Sequence, residues 1–278
     1  AELALHNGAL SGISLDGREY FYVNPLADRG KTRRKPWYEC ACCPTNIIRL
    51  LSYLPGLLYA ISDDGIWVNL YVQSAARIPF RDQTVEIREY TRYPWDGLVE
   101  FEVYPEKEEN FVIYLRIPGW CKSSRVYLDD KQVGNGTPST YFKLESRWCK
   151  GSRIRLEMEM PVELVKAHPH VLCLWERVAL RRGPIVYCFE AVDNPGIDVW
   201  DIALHGKTSV RAIYDPNLLG GVTVLEVDGY IIEYEDNLYT SIEEEIKVKP
   251  RKLKAIPYYA WSNRNPGPMI VWVKHIKQ

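Results

Sequence analysis

A chain of 278 residues, 46% of them hydrophobic and 26% charged, carries enough apolar mass for a substantial core, which excludes a disordered or fibrous chain and suggests one to three domains. The 35 Lys and Arg against 36 Asp and Glu leave a formal net charge of −1 with the signs interspersed, which gives no electrostatic footprint for nucleic acid or an anionic membrane. No apolar run approaches the roughly 20 residues of a membrane-crossing helix, and the first residues lack the charged, apolar, small-residue order of a secretion signal.

Residues 1 to 10 read as the tail of a helix, with Leu3, Ala4, Leu5 and Leu10 apolar and Gly8 and Gly12 as stops. Ile13 to Leu15 and Tyr20 to Val23 flank Asp16-Gly17, a hairpin signal. Lys31, Thr32, Arg33, Arg34 and Lys35 form a basic cluster that reads as a solvated loop. Pro44 suits the first position of a helix, where no amide donor is needed, so Cys43 falls at the N-cap. Ile47, Leu50, Leu51, Leu54 and Leu58 follow at helical spacing until Pro55-Gly56 bends or ends the helix and Asp63-Asp64-Gly65 turns the chain.

From Ile66 the apolar period changes to two: Ile66, Val68, Leu70 and Val72, then Val85 and Ile87, then Val99, Phe101 and Val103. The alternation is cleanest at Ile154, Leu156, Met158 and Met160, opposed by Arg153, Arg155, Glu157 and Glu159, as an antiparallel sheet with one wet face requires. Similar runs at Phe111–Ile117, Val171–Leu174, Ile185–Phe189, Val222–Val227 and Met269–Val273, broken by Gly, Pro, Asn and Asp, predict β-sandwiches. One β block ends around Pro161 to His170 and a second runs from there to the C-terminus. The helices at the front have strong apolar faces and no helical partners in the chain, a pattern that points to missing neighbours.

The densest chemical signal is Cys40-Ala41-Cys42-Cys43-Pro44, three of the seven cysteines. Helix N-terminal amides favour a thiolate, and zinc deprotonates a thiol outright, so either setting makes Cys42 or Cys43 a nucleophile. An unperturbed thiol of pKa about 8.5 is only a few per cent ionised at neutral pH, so activation is worth about an order of magnitude in reactive species. A structural zinc site or a redox pair remains open, although no second Cys pair follows to complete four ligands. Glu39 could ligate or act as an acid but reads better as solvated, His168 and His170 suit a domain junction, and His6 suits a surface or cap. Cys121, Cys149, Cys173 and Cys188 sit singly and read as packing residues; the odd total argues against a disulfide framework and favours a reducing, cytoplasmic setting. No serine-hydrolase elbow, P-loop or dinucleotide fingerprint is present. The 9 Trp and 19 Tyr could stack on sugar faces, which leaves a non-catalytic β-sandwich carbohydrate-binding or structural module as the alternative to an enzyme.

The run Trp37-Tyr38-Glu39-Cys40-Ala41-Cys42-Cys43-Pro44-Thr45-Asn46-Ile47-Ile48-Arg49 resembles glycoside hydrolase family 127, the β-L-arabinofuranosidases. The resemblance continues through Asn24-Pro25-Leu26, Val68-Asn69-Leu70-Tyr71, Arg116-Ile117-Pro118-Gly119-Trp120, Arg182 to Tyr187 and Ile256 to Arg264. It implies a mainly β chain: two β-sandwich domains, residues 63–165 and 166–278, preceded at 1–62 by the last helical segment of an (α/α)6 barrel that is otherwise missing. It also implies a retaining hydrolase that releases L-arabinofuranose or a related sugar. Cys42 matches a zinc-bound cysteine nucleophile, Cys43 matches a second zinc thiolate, and Cys40 has no firm role. The other two zinc ligands, in a Glu-Thr-Cys type motif, and the acid/base glutamate are expected before residue 1, so the chain alone is expected to be inactive. The implied partner is an arabinose-containing oligosaccharide or glycoconjugate, with no nucleic acid or membrane and with a homodimer among the states allowed.

Overall fold

The computed structural model describes residues 1–276 except 235, 236, 238, 240 and 242–245. The fold is mainly β and divides into two compact units, Arg49–Pro161 and a second made of Ala1–Ile48 with Val162–Gln278. The first 48 residues pack with the C-terminal strands, and strand Ala27–Arg29 pairs with Pro268–Ile270.

In the first unit a four-stranded sheet runs in the order Thr140–Trp148, Glu109–Ile117, Gly65–Val68, Tyr59–Ile61. A six-stranded sheet runs Ser74–Phe80, Gln83–Thr91, Leu98–Pro105, Ser152–Met158, Ser124–Leu128, Lys131–Asn135. The two share one hydrophobic core, in which Val85, Ile87, Phe101, Ile154 and Leu156 from one sheet join Ile66, Ile113, Leu115 and Trp148 from the other. Each is at most 1% exposed, so the period-two alternation becomes burial directly. On the opposite face Arg125 and Arg155 both pair with Glu157. Leu70 and Val72 fall outside the strand that ends at Val68, since the Val72 amide donates to Glu89 Oε1 at 2.9 Å instead of to a neighbouring strand. Glu89 is 1% exposed and also accepts from Tyr59 Oη at 3.1 Å; burial pushes its carboxyl up to about 8.

The second unit does not form the two separate sheets expected of another sandwich. Ile185–Glu190 pairs with Arg177–Arg182, Lys247–Pro257 and Pro268–Ile270, and so links these strands into one ten-stranded sheet. Hydrogen bonding then runs as a ring from Ile185–Glu190 through Lys247–Pro257, Val222–Glu233, Ile202–His205, Val273–Ile276 and Arg177–Arg182 back to its start. Val162–Val165 and Val210–Asp215 attach to this ring. The expected strand Val171–Leu174 is instead a turn with a 3₁₀ segment at Leu172–Leu174, its amides bonded locally to His168 and Val171 carbonyls. Met269–Val273 is two strands, broken where the Val271 amide donates to the Leu26 carbonyl.

At the front, Gly8 does not stop the helix. A π-helical stretch Ala4–Ala9 passes through it into a 3₁₀ turn Leu10–Gly12. Buried Asn7 anchors this piece: its amide donates to the Leu3 and Pro184 carbonyls and its oxygen accepts from the Val186 amide. The expected hairpin reduces to a single bridge, Ile13 to Tyr20, across a turn that places Gly17 at φ +74.

Candidate active site

The segment leading to the thiols is held by a few specific contacts. Phe21 is buried, with its ring stacked on Trp261 at 4.8 Å and the Arg34 guanidinium 4.1 Å from its centroid. Arg34 is 7% exposed and donates from Nη1 to the Trp261 carbonyl at 2.7 Å and from Nη2 to the Ser11 carbonyl at 2.9 Å. It is therefore not part of a solvated loop; burial lowers its pKa to about 10. Tyr20 and Lys35 exchange backbone hydrogen bonds of 2.8 and 2.9 Å, and Tyr38 Oη donates to the Tyr20 carbonyl at 3.0 Å. With Phe21 turned inward, Tyr22 stays exposed against the Tyr38 ring, 5.3 Å away.

The motif Ile256 to Arg264 supplies the other side of this anchorage. Tyr258 Oη donates to the Pro25 carbonyl, the Leu15 amide donates to Asn263 Oδ1, and Arg264 pairs with buried Glu190 and with Asp193.

The helix that carries the thiols spans Cys42–Tyr53, with the Thr45 amide and hydroxyl both donating to the Ala41 carbonyl. It begins at Cys42, ahead of Pro44. Cys43 is thus helical and not a cap, because any of the first few amides of a helix lacks an internal acceptor and proline is tolerated beyond the very first position. Past Tyr53 the chain tightens into a 3₁₀ turn, Leu54–Leu57, at the expected Pro55-Gly56.

Cys42 Sγ lies 3.8 Å from Cys40 Sγ, 3.8 Å from Cys43 Sγ and 3.7 Å from Tyr22 Oη. Cys43 Sγ donates to the Tyr22 carbonyl at 3.8 Å. The Tyr22 hydroxyl, then Cys40 and Cys43, hold the Cys42 thiol below its usual range, and the same contact pushes the Tyr22 phenol up to about 12. Burial, followed by the Cys42 contact, raises Cys43. Of the adjacent pair, Cys42 is the thiol favoured as the anion. Sequence reading missed Tyr22; the burial of Phe21 between Tyr20 and Tyr22 is the feature that sets its direction.

Two sulfurs each ~2.3 Å from a tetrahedral zinc lie about 3.8 Å apart, so the Cys42–Cys43 pair has the spacing of one edge of such a site. Among the described residues no group of three or more His, Cys, Asp or Glu side chains is arranged to hold a metal ion. The donor set thus fits two zinc thiolates and leaves the remaining ligands to residues outside this set. Glu39 is exposed. His168 and His170 are exposed too, with His168 Nδ1 accepting from the His170 amide, and His6 lies within the π-helical stretch. All seven cysteines are free thiols; Cys121 and Cys188 are buried as expected, whereas Cys149 and Cys173 are exposed and do not pack. No helix among the described residues is long and apolar enough to cross a membrane.

Comparison with known proteins follows this geometry. Residues 1–56 match the β-L-arabinofuranosidase GH127 catalytic-domain family, 65–160 the GH127 middle domain and 162–274 the GH127 C-terminal domain. The chain is 35% identical to a non-reducing end β-L-arabinofuranosidase of Bifidobacterium longum subsp. longum over 98% of its own length and 44% of the relative's. It superposes on a GH127 β-L-arabinofuranosidase from Geobacillus stearothermophilus T6 with a TM-score of 0.92 and 37% identity, covering 99% of this chain and 45% of that one. A second GH127 β-arabinofuranosidase structure gives 0.90 and 33%, again covering 99% and 45%. The chain spans about half the length of the relatives it matches. With the three domain matches running almost end to end in the same order, the chain belongs to glycoside hydrolase family 127.

Proposed function

We propose that the protein containing this chain is a retaining glycoside hydrolase that releases L-arabinofuranose or a related sugar from an oligosaccharide or glycoconjugate. Cys42 is its nucleophile, and Cys42 and Cys43 are two of its zinc ligands. The observation that carries this reading is the Cys42–Cys43 pair, with sulfurs 3.8 Å apart at a helix start inside the region that matches the catalytic domain. On this reading residues 1–62 are the end of a helical catalytic domain. Its support is the catalytic-domain match over 1–56 and the incomplete burial of Leu50, Leu51, Leu54 and Leu58.

In the first step the Cys42 thiolate attacks the anomeric carbon while the leaving oxygen takes a proton from a glutamate expected before residue 1. A thioglycosyl link forms and the glycosidic C–O bond breaks. Water deprotonated by the same glutamate then displaces sulfur, and two inversions give net retention. The Tyr22 hydroxyl, 3.7 Å from the Cys42 sulfur, is the contact that does most to hold this thiol below its usual range. When bound, zinc holds thiols deprotonated at neutral pH and sets their basicity.

The test uses the full-length protein and an aryl β-L-arabinofuranoside. Wild-type enzyme is expected to give the retained anomer first by NMR and to contain stoichiometric zinc, and Cys42→Ala is expected to lose turnover by at least about a thousandfold. A Cys42→Ala protein that keeps its turnover contradicts the nucleophile assignment.

A further inference from the structure

Cys40 is neither the nucleophile nor a zinc ligand in the chemistry just described, yet its sulfur stands as close to Cys42 as that of Cys43 does, at 3.8 Å. We propose that Cys40 and Cys42 form a reversible disulfide that switches the site off. Cys43 is the poorer partner, because it follows Cys42 directly within the helix, and a bond between consecutive cysteines needs a twist of their shared peptide that regular helix does not provide. Its sulfur is also engaged with the Tyr22 carbonyl. Cys40 precedes the helix, in a bend followed by the turn at Ala41, where the backbone can follow as the sulfurs close from 3.8 Å to the ~2 Å of a bond. Both Cys40 and Cys42 are exposed, which gives an oxidant access.

The oxidant is a hydroperoxide. The Cys42 thiolate attacks its outer oxygen, the O–O bond breaks, and the other oxygen leaves as an alcohol or water once protonated, so that Cys42 becomes a sulfenic acid. Cys40 then attacks that sulfur, the S–O bond breaks, and water leaves with the proton. In sum, two thiols give two electrons to one peroxide. This covalent step stands on the sulfur geometry, and its effect on hydrolysis rests on the reading of Cys42 as nucleophile.

The chain is stripped of metal with a chelator, treated with hydrogen peroxide, alkylated, digested and sequenced by mass spectrometry. The expected product is a Lys35–Arg49 peptide lighter by two hydrogens and alkylated only at Cys43, with all three thiols alkylated after dithiothreitol. A Cys42–Cys43 link with Cys40 alkylated, or a Cys42 sulfinic acid beside an alkylated Cys40, overturns the proposal. Cys40→Ser is expected to lose the dithiothreitol-reversible form and accumulate sulfinic acid at Cys42; retained reversible protection of Cys42 in that variant also overturns it. In the full-length enzyme, hydrolysis is expected to vanish on oxidation and return with dithiothreitol. Disulfide formation with hydrolysis intact overturns both the switch and the nucleophile reading, whereas absence of the disulfide in an enzyme that Cys42→Ala inactivates overturns the switch alone.

Discussion

In residues 49–161 the alternate residues of ten strands close one continuous core, and no single side chain decides where a strand lies. Residues 1–48 have little regular pairing and are fixed by a handful of polar anchors, some to the later chain (Asn7 on Pro184 and Val186, Arg34 on Trp261) and some within the segment (Arg34 on Ser11, Asn24 on Gly8 and Ser11). The first kind of region is robust because its stabilisation is spread over many apolar contacts. The second fixes a few side chains in definite directions, as a reactive sulfur requires, and concentrates the risk in single residues.

The comparison can be tested from its largest expected effect down. Trp148→Ala removes a fully buried indole from the sheet core, together with its 2.9 Å hydrogen bond to the Phe111 carbonyl, and should cost about 4 kcal/mol in denaturant unfolding of the whole chain. Arg264→Met leaves buried Glu190 without its cation and Asp193 with only the Lys254 ammonium at 3.9 Å, and should cost about 3 kcal/mol. A loss below about 1 kcal/mol would mean that the anchors around the thiol segment share their load more widely than proposed.

Glu89→Gln should act in the opposite direction, increasingly as pH rises above about 4.5. The folded carboxyl titrates at about 8 against an ordinary value of 4.5. Between those two values the unfolded chain has lost the proton that the folded chain keeps, so stability falls as pH rises and the penalty is complete above about 8. Glutamine keeps an acceptor for the Val72 amide without the charge, so scanning calorimetry should find the variant more stable at pH 9, by on the order of 2 kcal/mol, and no more stable near pH 4. Cys40→Ser, at an exposed position, should change stability by less than about 0.5 kcal/mol, which makes it a clean probe of the thiol chemistry.

The same contrast explains what the sequence disclosed. Period-two runs at Val85–Ile87, Val99–Val103 and Ile154–Met158 name their strands because each residue's burial follows from its neighbours' spacing. Pro55-Gly56 likewise marked the end of the thiol-bearing helix, since its effect is local. The burial of Arg34 and the direction of Tyr22 depend on Trp261, more than a hundred residues away, and the joining of strands through Ile185–Glu190 on Lys247–Pro257 and Pro268–Ile270, far along the chain, so none leaves a local pattern. At the site, the clustering of thiols was legible in Cys40-Ala41-Cys42-Cys43, whereas the phenol beside Cys42 arrives through the inward turn of Phe21.

The central claim is that Cys42 forms a covalent bond to the sugar. The direct measurement is to incubate the full-length protein with a 2-fluoro-L-arabinofuranosyl donor bearing a good leaving group, which slows both steps but the second more, and to map the adduct by mass spectrometry. The account predicts one fluoroarabinosyl group on Cys42, absent from Cys42→Ala and present in Cys40→Ser. An adduct on a carboxylate, or turnover with retention and no adduct on Cys42, would contradict it.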